Sequence, residues 1–176
     1  TGTVVADGST MKIGSAGDAD SNVVSAETET DYSLTESQML SLEFYGQMQP
    51  ATGEDHIMGF QNFYFAEDTD DDTYTYVTVD SGTTLYALDD DYSAGDHTFR
   101  IDITANVAHF YVDDVLKKSL AHEEDSTGYL YFKSYDANDY TYVDWVKVSS
   151  TGTAAPLYFY TDGDTLYVSP VPDQEY

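Results

Sequence analysis

Residues 97–103 read His-Thr-Phe-Arg-Ile-Asp-Ile, and residues 107–112 read Val-Ala-His-Phe-Tyr-Val. Apolar and polar side chains alternate along both stretches, which are rich in β-branched and aromatic residues. A period of two puts alternate side chains on opposite faces of a strand. The first stretch therefore predicts a strand that buries Phe99, Ile101 and Ile103 on one face.

The same pattern recurs along most of the chain. It predicts further strands at residues 11–13, 23–26, 40–47, 57–65, 74–79, 84–88, 115–120, 129–135 and 140–148. Clusters of Asp, Asn, Gly and Ser separate these strands, as turns require. No stretch keeps a helical period over three turns. More than ten short strands at regular spacing predict an all-β, two-sheet antiparallel sandwich.

The C-terminal segment is organised differently from the rest. Residues 152–156 read Gly-Thr-Ala-Ala-Pro, which is typical of a short linker. Two short strand patterns follow on either side of an Asp-Gly-Asp turn and predict a C-terminal β-hairpin extension. We therefore expect a sandwich domain at residues 1–150 and a linker with a hairpin arm at residues 151–176. The candidate assembly residues of this arm are Leu157, Tyr158, Tyr160 and Tyr167.

Charge excludes several partners. The chain has 33 acidic and 6 basic residues, for a net charge of −27. Phosphate backbones and anionic lipid surfaces would be repelled, so we expect no nucleic-acid binding and no membrane insertion. No apolar run approaches the roughly 18 residues that a membrane span needs. The 17 Tyr, 8 Phe and 1 Trp supply a core and argue against disorder.

The same charge favours a protein that folds in brine. At about 1 M salt the screening length falls to roughly 3 Å, so repulsion among carboxylates largely disappears. The alternative is an acidic secreted protein that binds calcium. There is no cysteine, so disulfides and thiolate chemistry are excluded.

Two patterns resemble a known superfamily. Residues 95–101, Gly-Asp-His-Thr-Phe-Arg-Ile, lead into residues 108–114, Ala-His-Phe-Tyr-Val-Asp-Asp, and residues 142–148 read Tyr-Val-Asp-Trp-Val-Lys-Val. They resemble the second half of concanavalin A-like jelly rolls, which include laminin-G-like domains and family-16 glycoside hydrolases. The front half is similar in layout only. The resemblance implies two curved sheets with the core between them and a concave outer face that can hold a sugar.

Catalytic patterns are missing. Family-16 hydrolases carry Glu-x-Asp-x-x-Glu on one strand, whereas the matching strand here has only Glu43. Residues 27–31, Glu-Thr-Glu-Thr-Asp, put three acids on one face but lack interleaved apolar residues, as on a solvated edge. There is no nucleophile elbow, zinc motif or phosphate loop. We therefore predict a protein that is not an enzyme.

Calcium is the candidate cofactor, in a structural role. Residues 68–72 and 18–22 begin like EF-hand loops, but neither has the central Gly. The resemblance implies a different site, in which the closing-strand Asp144 binds calcium beside Asp7 and Gly8. The alternative is an Asp144 that is hydrogen-bonded at a sheet edge.

Sugar binding needs aromatic rings and a few polar groups in a concavity. Alternate tyrosines could supply the rings, although they could equally pack across a sheet. The candidate ligand-binding residues are Tyr74, Tyr76, Arg100, His109, Tyr129, Tyr131 and Tyr135.

Two functions compete. The first is a non-catalytic extracellular recognition module, carbohydrate-binding or adhesive, from a halophilic organism or its virus, whose partner is a cell-surface glycan. The second is a structural subunit of a virion (a capsid decoration, turret or fibre), surface layer or filament, in which the arm contacts neighbouring subunits, including a possible homo-oligomer. Both imply an extracellular, cell-surface or virion-surface location. A glycoside hydrolase is a remote third alternative.

The brine hypothesis predicts a specific salt response. We expect about 2 M NaCl to raise the melting temperature by more than it does for a protein of near-zero net charge, because screening removes repulsion in the folded state. Calorimetry across a salt series measures this, and an equal rise in both proteins contradicts the hypothesis.

Overall fold

The computed structural model describes residues 2–7, 10–15, 24–28, 31–34, 38–49, 56–67, 74–92, 94–134, 140–151, 157–162 and 165–170. Within these ranges the chain forms strands and no helix, so none of the described segments is a helix that could cross a membrane. The strands are β1 (Gly2–Asp7), β2 (Thr10–Ser15), β3 (Val24–Glu27), β4 (Met39–Gln49), β5 (His56–Phe60), β6 (Tyr64–Glu67), β7 (Thr75–Thr78), β8 (Tyr86–Ala87), β9 (His97–Ile103), β10 (Val107–Val112), β11 (Val115–Ala121), β12 (Leu130–Ser134), β13 (Tyr140–Thr151), β14 (Leu157–Asp162) and β15 (Thr165–Pro170).

The strands form two antiparallel sheets. Sheet A has nine strands in the order β1-β2-β13-β4-β9-β10-β11, with β14 paired to β13 and β15 to β14. Sheet B has six strands in the order β3-β12-β5-β6-β7-β8. The prediction of an all-β, two-sheet sandwich with a C-terminal hairpin is therefore confirmed.

Phenylalanine rings fill the space between the sheets. Phe44, Phe99 and Phe110 come from sheet A, and Phe65 and Phe132 come from sheet B. Phe65 meets Phe99 edge-on at 5.0 Å between ring centroids and Phe110 at 5.4 Å, while Phe44 lies 5.6 Å from Phe132. Such pairs add about 0.5–1.5 kcal/mol each beyond the area they bury.

Strand β9 confirms the alternation on which the fold prediction depends. Phe99, Ile101 and Ile103 are fully buried, whereas Arg100 and Asp102 between them are only partly covered. The polar positions of β9 therefore point to the outer face of sheet A.

The predicted continuous strand over residues 57–65 is wrong. Strand β5 ends at Phe60 and β6 begins at Tyr64, with a turn between them closed by a 2.8 Å hydrogen bond from the Phe60 N–H to the Phe63 carbonyl. Asn62 fixes this turn, because its side chain donates to the Ser126 carbonyl at 3.0 Å. An apolar run on both sides hides the turn in the sequence.

The arm continues sheet A. Leu157 pairs with Val148 and Tyr158 with Lys147, and β15 then pairs with β14. Tyr160 and Tyr167 are register partners within this hairpin. The side chains of the arm lie outside the described part, so its role in assembly and the boundary at residue 150 stay predictions.

A tight turn joins β10 to β11. Asp113 and Asp114 both have left-handed backbone, with φ of 49° and 63°, as the two central residues of a type I′ hairpin turn require. The Asp113 carboxylate lies 2.7 Å from Nδ1 of His97 and accepts a 3.0 Å hydrogen bond from the Thr98 N–H. Asp114 binds Arg100 at 3.0 Å from an exposed position. Further along the hairpin, the pairing of β10 with β11, the last strand of sheet A, shifts register between Phe110 and Tyr111.

The two aspartates should respond differently to glycine. Asp114→Gly relieves left-handed strain and loses only an exposed ion pair, so we expect a gain of up to about 1 kcal/mol, or roughly 2–4 °C in melting temperature. Asp113→Gly gains the same backbone relief but loses two hydrogen bonds, so it should be less stable than Asp114→Gly by about 1–2 kcal/mol. Urea unfolding of both variants tests this, and the reverse order contradicts it.

A buried histidine lies at one end of the core. His56 is fully buried, with Nδ1 2.9 Å from the hydroxyl of Thr141, which donates in turn to the Lys133 carbonyl. Because that hydroxyl proton is used, Nδ1–H of His56 must be the donor, and Nε2 is left buried without a partner. Burial lowers the pKa of His56 to about 4.

This histidine predicts acid sensitivity. In the unfolded chain His56 becomes protonated near pH 6.5, whereas in the folded chain it stays neutral down to about pH 4. The free energy of unfolding therefore falls as the pH drops through that window. We expect a loss of roughly 2–3 kcal/mol between pH 7 and pH 4.5 from His56. Urea unfolding across this range should show that the unfolding free energy of His56→Leu depends much less on pH. The dependence that remains comes partly from His122, because burial also lowers the pKa of that residue. A variant that keeps the full slope contradicts the assignment.

Candidate functional site

One outer face of the sandwich is rich in tyrosine. On sheet B the core-facing residues are Met58, Phe60, Phe65, Val77 and Phe132. The alternate positions form a separate cluster in which Ile57, Tyr64 and Ala66 pack with Tyr76 and Tyr131. We call this surface, together with Tyr129 and Lys133, the tyrosine face.

Strand register aligns the tyrosine face in two rows. In one row Tyr131 of β12 lies opposite Gly59 of β5, which lies opposite Tyr64 of β6. Glycine at the middle position places no side chain between the two tyrosines. The rings of Tyr129 and Tyr131 meet edge-on at 5.8 Å.

The second row brings a positive charge onto the face. Lys133 lies opposite Ile57, which is followed by Ala66 and Tyr76 on the next two strands. The ammonium group lies 5.8 Å from the ring centre of Tyr131, and the residue is only 9% exposed. The row thus combines one ammonium group with apolar and phenolic surface, which suits a hydroxylated ligand that needs both ring contacts and hydrogen bonds.

The structure divides the predicted ligand residues between two surfaces. Tyr76, Tyr129 and Tyr131 lie on the tyrosine face, and Tyr74 is 37% exposed just before β7. Tyr135 lies outside the described residues.

Arg100 and His109 lie on the outer face of sheet A instead. Arg100 stacks on Tyr111 at 4.0 Å, and His109 lies 2.7 Å from the Ser119 hydroxyl. The two sheets enclose the core between them, so a single small ligand cannot contact both groups. The roles of all seven residues stay predictions.

Sequence reasoning missed Tyr64. The apolar run over residues 57–65 hides the turn at Asn62, so the sequence predicts one continuous strand there and does not assign a face to Tyr64. An Asn beside a Gln inside an apolar run was the available signal.

The acidic residues of sheet B do not form a pair on its outer face. Glu27 is exposed at the end of edge strand β3, opposite Tyr131. Glu67 points into the core and accepts a 2.6 Å hydrogen bond from the Thr75 hydroxyl. In the described strands of this sheet, Glu27 is thus the one carboxylate on the tyrosine face, whereas a retaining hydrolase needs two about 5 Å apart.

Of the predicted calcium residues, Asp7 and Asp144 lie in strands of sheet A on either side of β2, toward the same end of the sheet. Met11 pairs with Val143, the residue before Asp144, and Asp7 pairs with Thr10 at the end of the β1–β2 hairpin. Asp144 is exposed, while Gly8 and the side chain of Asp7 lie outside the described part. Among the described residues no group of three or more His, Asp or Glu could hold a metal ion. Calcium therefore stays a prediction.

No protein-family model and no curated protein matches the sequence. Solved structures do match the fold. An endo-1,3-beta-glucanase from Streptomyces sioyaensis is 13% identical, with a TM-score of 0.58 over 82% of this chain and 76% of that chain. The carbohydrate-binding module CBM66 from Bacillus subtilis is 12% identical, with a TM-score of 0.57 over 86% and 92%. The carbohydrate recognition domain of Emp46p, in its metal-free form, is 8% identical, with a TM-score of 0.57 over 84% and 85%.

These matches confirm the predicted resemblance at the level of fold. The chain has the concanavalin A-like jelly-roll fold, which it shares with a glucanase, a carbohydrate-binding module and a carbohydrate recognition domain. The fold alone serves both catalytic and non-catalytic proteins, so function depends on the site.

Proposed function

We propose that this protein is a non-catalytic, extracellular recognition module that binds a glycan through the tyrosine face. The observation that carries the proposal is a second cluster, separate from the main core, in which the partly buried rings of Tyr76 and Tyr131 pack on buried side chains, in two aligned rows with Lys133 in one of them. Aromatic rings bind the apolar C–H faces of sugars, and the phenol and ammonium groups supply hydrogen bonds that orient the hydroxyls.

Supporting geometry favours binding over hydrolysis. Tyr64, Ile57 and Ala66 are between 4 and 8% exposed although they point away from the core, so neighbouring side chains hold them in place. A pre-formed surface of this kind loses little side-chain entropy on binding. Glu27 has no second carboxylate beside it on the described part of this face, so the acid and nucleophile of a retaining mechanism are not both supplied.

The glycan we propose belongs to a cell surface or similar extracellular matrix, in a halophilic setting. The net charge of −27 is the support for the salt-rich setting. It also argues that the glycan carries few negative charges, because a polyanion would be repelled by the protein as a whole.

Assembly is the second candidate, and the arm favours it. Strand β15 pairs only with β14 in the described part, so one edge of the hairpin is open to another chain. Open edges pair readily with strands of a neighbour. Light scattering in about 2 M salt separates the alternatives, since a monomer contradicts a filament or surface-layer subunit.

A glycan array followed by titration calorimetry tests recognition. For the glycan that binds best, we expect Tyr131→Ala and Tyr76→Ala each to weaken binding by about tenfold, or about 1.4 kcal/mol, because each removes a ring that contacts the sugar.

The matched control is Tyr86→Ala, at an exposed tyrosine of edge strand β8 that pairs with the core-facing Val77 and so lies off the tyrosine face; it should leave this affinity unchanged. Circular dichroism confirms that each variant folds. Full affinity in Tyr131→Ala, or release of reducing ends from the bound glycan, contradicts the proposal.

A further inference from the structure

Strand β13 contains an irregularity on the opposite side of the sandwich. Val143 pairs with Gly46 of β4 and Trp145 pairs with Tyr45, so the register of the two strands shifts by one residue at Asp144. One extra residue on one strand of an antiparallel pair is a β-bulge.

The bulge turns the chain's one tryptophan outward. Before it, Thr141 and Val143 are buried, and after it Val146 and Val148 are buried, so the inward positions change from odd to even numbers. Trp145 would share the inward face of Val143 in a regular strand, but it is 39% exposed. Bulges often re-aim a side chain at a binding site, and a large exposed apolar ring calls for an explanation.

The partner strand accommodates the bulge with a glycine. A Cβ on Gly46 would lie 2.0 Å from the carbonyl oxygen of Tyr142, so any other residue would displace the backbone there. Two strands are therefore adapted to one another at the position that exposes Trp145.

The exposed ring forms a platform with a second one. Trp145 and Tyr45 lie within 13° of parallel, with ring centroids 6.4 Å apart. This separation is at the upper end of the range for aromatic pairs, and Trp145 is exposed, so its ring keeps surface that a ligand can contact. On one side of the ring pair, the Lys147 ammonium group lies 3.5 Å from the Glu43 carboxylate. On the other side, Tyr142 of β13 lies opposite Gln47 of β4. Groups that can hydrogen-bond thus flank the platform.

The platform lies on an electrically balanced face. Of the six basic residues of the chain, Lys12, Arg100 and Lys147 all lie on the outer face of sheet A. Glu43 and Asp102 are the acids between them, and Asp144 is exposed at the bulge. With Asp114 beside Arg100, three positive and four negative charges among the described side chains leave this face near neutral, on a chain of net charge −27.

We propose that the outer face of sheet A is a second glycan-binding surface, on which the Tyr45–Trp145 platform stacks against an uncharged polysaccharide. Parallel rings suit the flat faces of successive pyranose residues, and local neutrality neither attracts nor repels an uncharged chain. This surface is separate from the tyrosine face and does not depend on it. A protein that binds on both sides would link two polysaccharide chains.

The chain's one tryptophan makes the test specific, because all tryptophan emission comes from Trp145. Laminarin, xyloglucan and galactomannan are titrated into the full chain in high salt. We expect at least one of them to shift or quench the emission saturably. Tyr45→Ala should weaken that response by about tenfold or more, Tyr45→Phe should retain it, and Tyr131→Ala should leave it unchanged.

Affinity electrophoresis of Trp145→Ala in gels containing the same polysaccharide provides a readout without fluorescence, and the retardation of the protein by the polysaccharide should be lost.

Unchanged emission with all three polysaccharides overturns the proposal. So does full binding by Tyr45→Ala, or a change of oligomeric state in Trp145→Ala by light scattering, which would make the face a protein contact. Binding lost only in Tyr131→Ala and Tyr76→Ala would leave the tyrosine face as the site and refute the platform; binding lost only in the Tyr45 and Trp145 variants would do the reverse.

Discussion

Edge-on packing of phenylalanine rings between the sheets is the interaction on which the rest of the structure depends. Phe65 of sheet B contacts both Phe99 and Phe110 of sheet A, and Phe44 contacts Phe132. These rings fix the spacing and relative rotation of the two layers. Large rings occupy the inward positions of both sheets. Because successive side chains of a strand point to opposite faces, the residues between these rings lie on the two outer faces. The binding surfaces are therefore consequences of how the core is filled.

The two outer faces differ in physical character. On sheet B, tyrosines and Lys133 surround nearly buried aliphatic side chains, which gives a surface of fixed shape. On sheet A, Arg100 is held between Tyr111 and the carboxylates of Asp102 and Asp114, so charge is distributed in pairs across the sheet. The two faces therefore offer a partner different chemistry, with rings around aliphatic side chains on sheet B and paired charges on sheet A.

Sequence alone predicted the sandwich and most strands, because regular alternation, as in Phe99, Ile101 and Ile103, reports directly on burial. It placed Tyr76, Tyr129 and Tyr131 among the candidate ligand residues, but it could not separate them from Arg100 and His109. That separation depends on sheet order, which is set by contacts between strands that are far apart in the chain. The sequence pattern also did not predict two local irregularities. The turn at Asn62 lies inside an apolar run, and the bulge at Asp144 depends on Gly46 of another strand.

The register shift between Phe110 and Tyr111 has a consequence for solubility. Strand β11 ends sheet A with an exposed edge that carries Val115 and Leu116 at 55 and 50% exposure, a pattern prone to edge-to-edge aggregation. The net charge of −27 would keep like molecules apart in dilute buffer, but screening at about 1 M salt removes most of that repulsion. An irregular edge is a geometric obstacle, which salt does not weaken. In brine the shape of this edge, more than its charge, would keep separate molecules from joining their sheets.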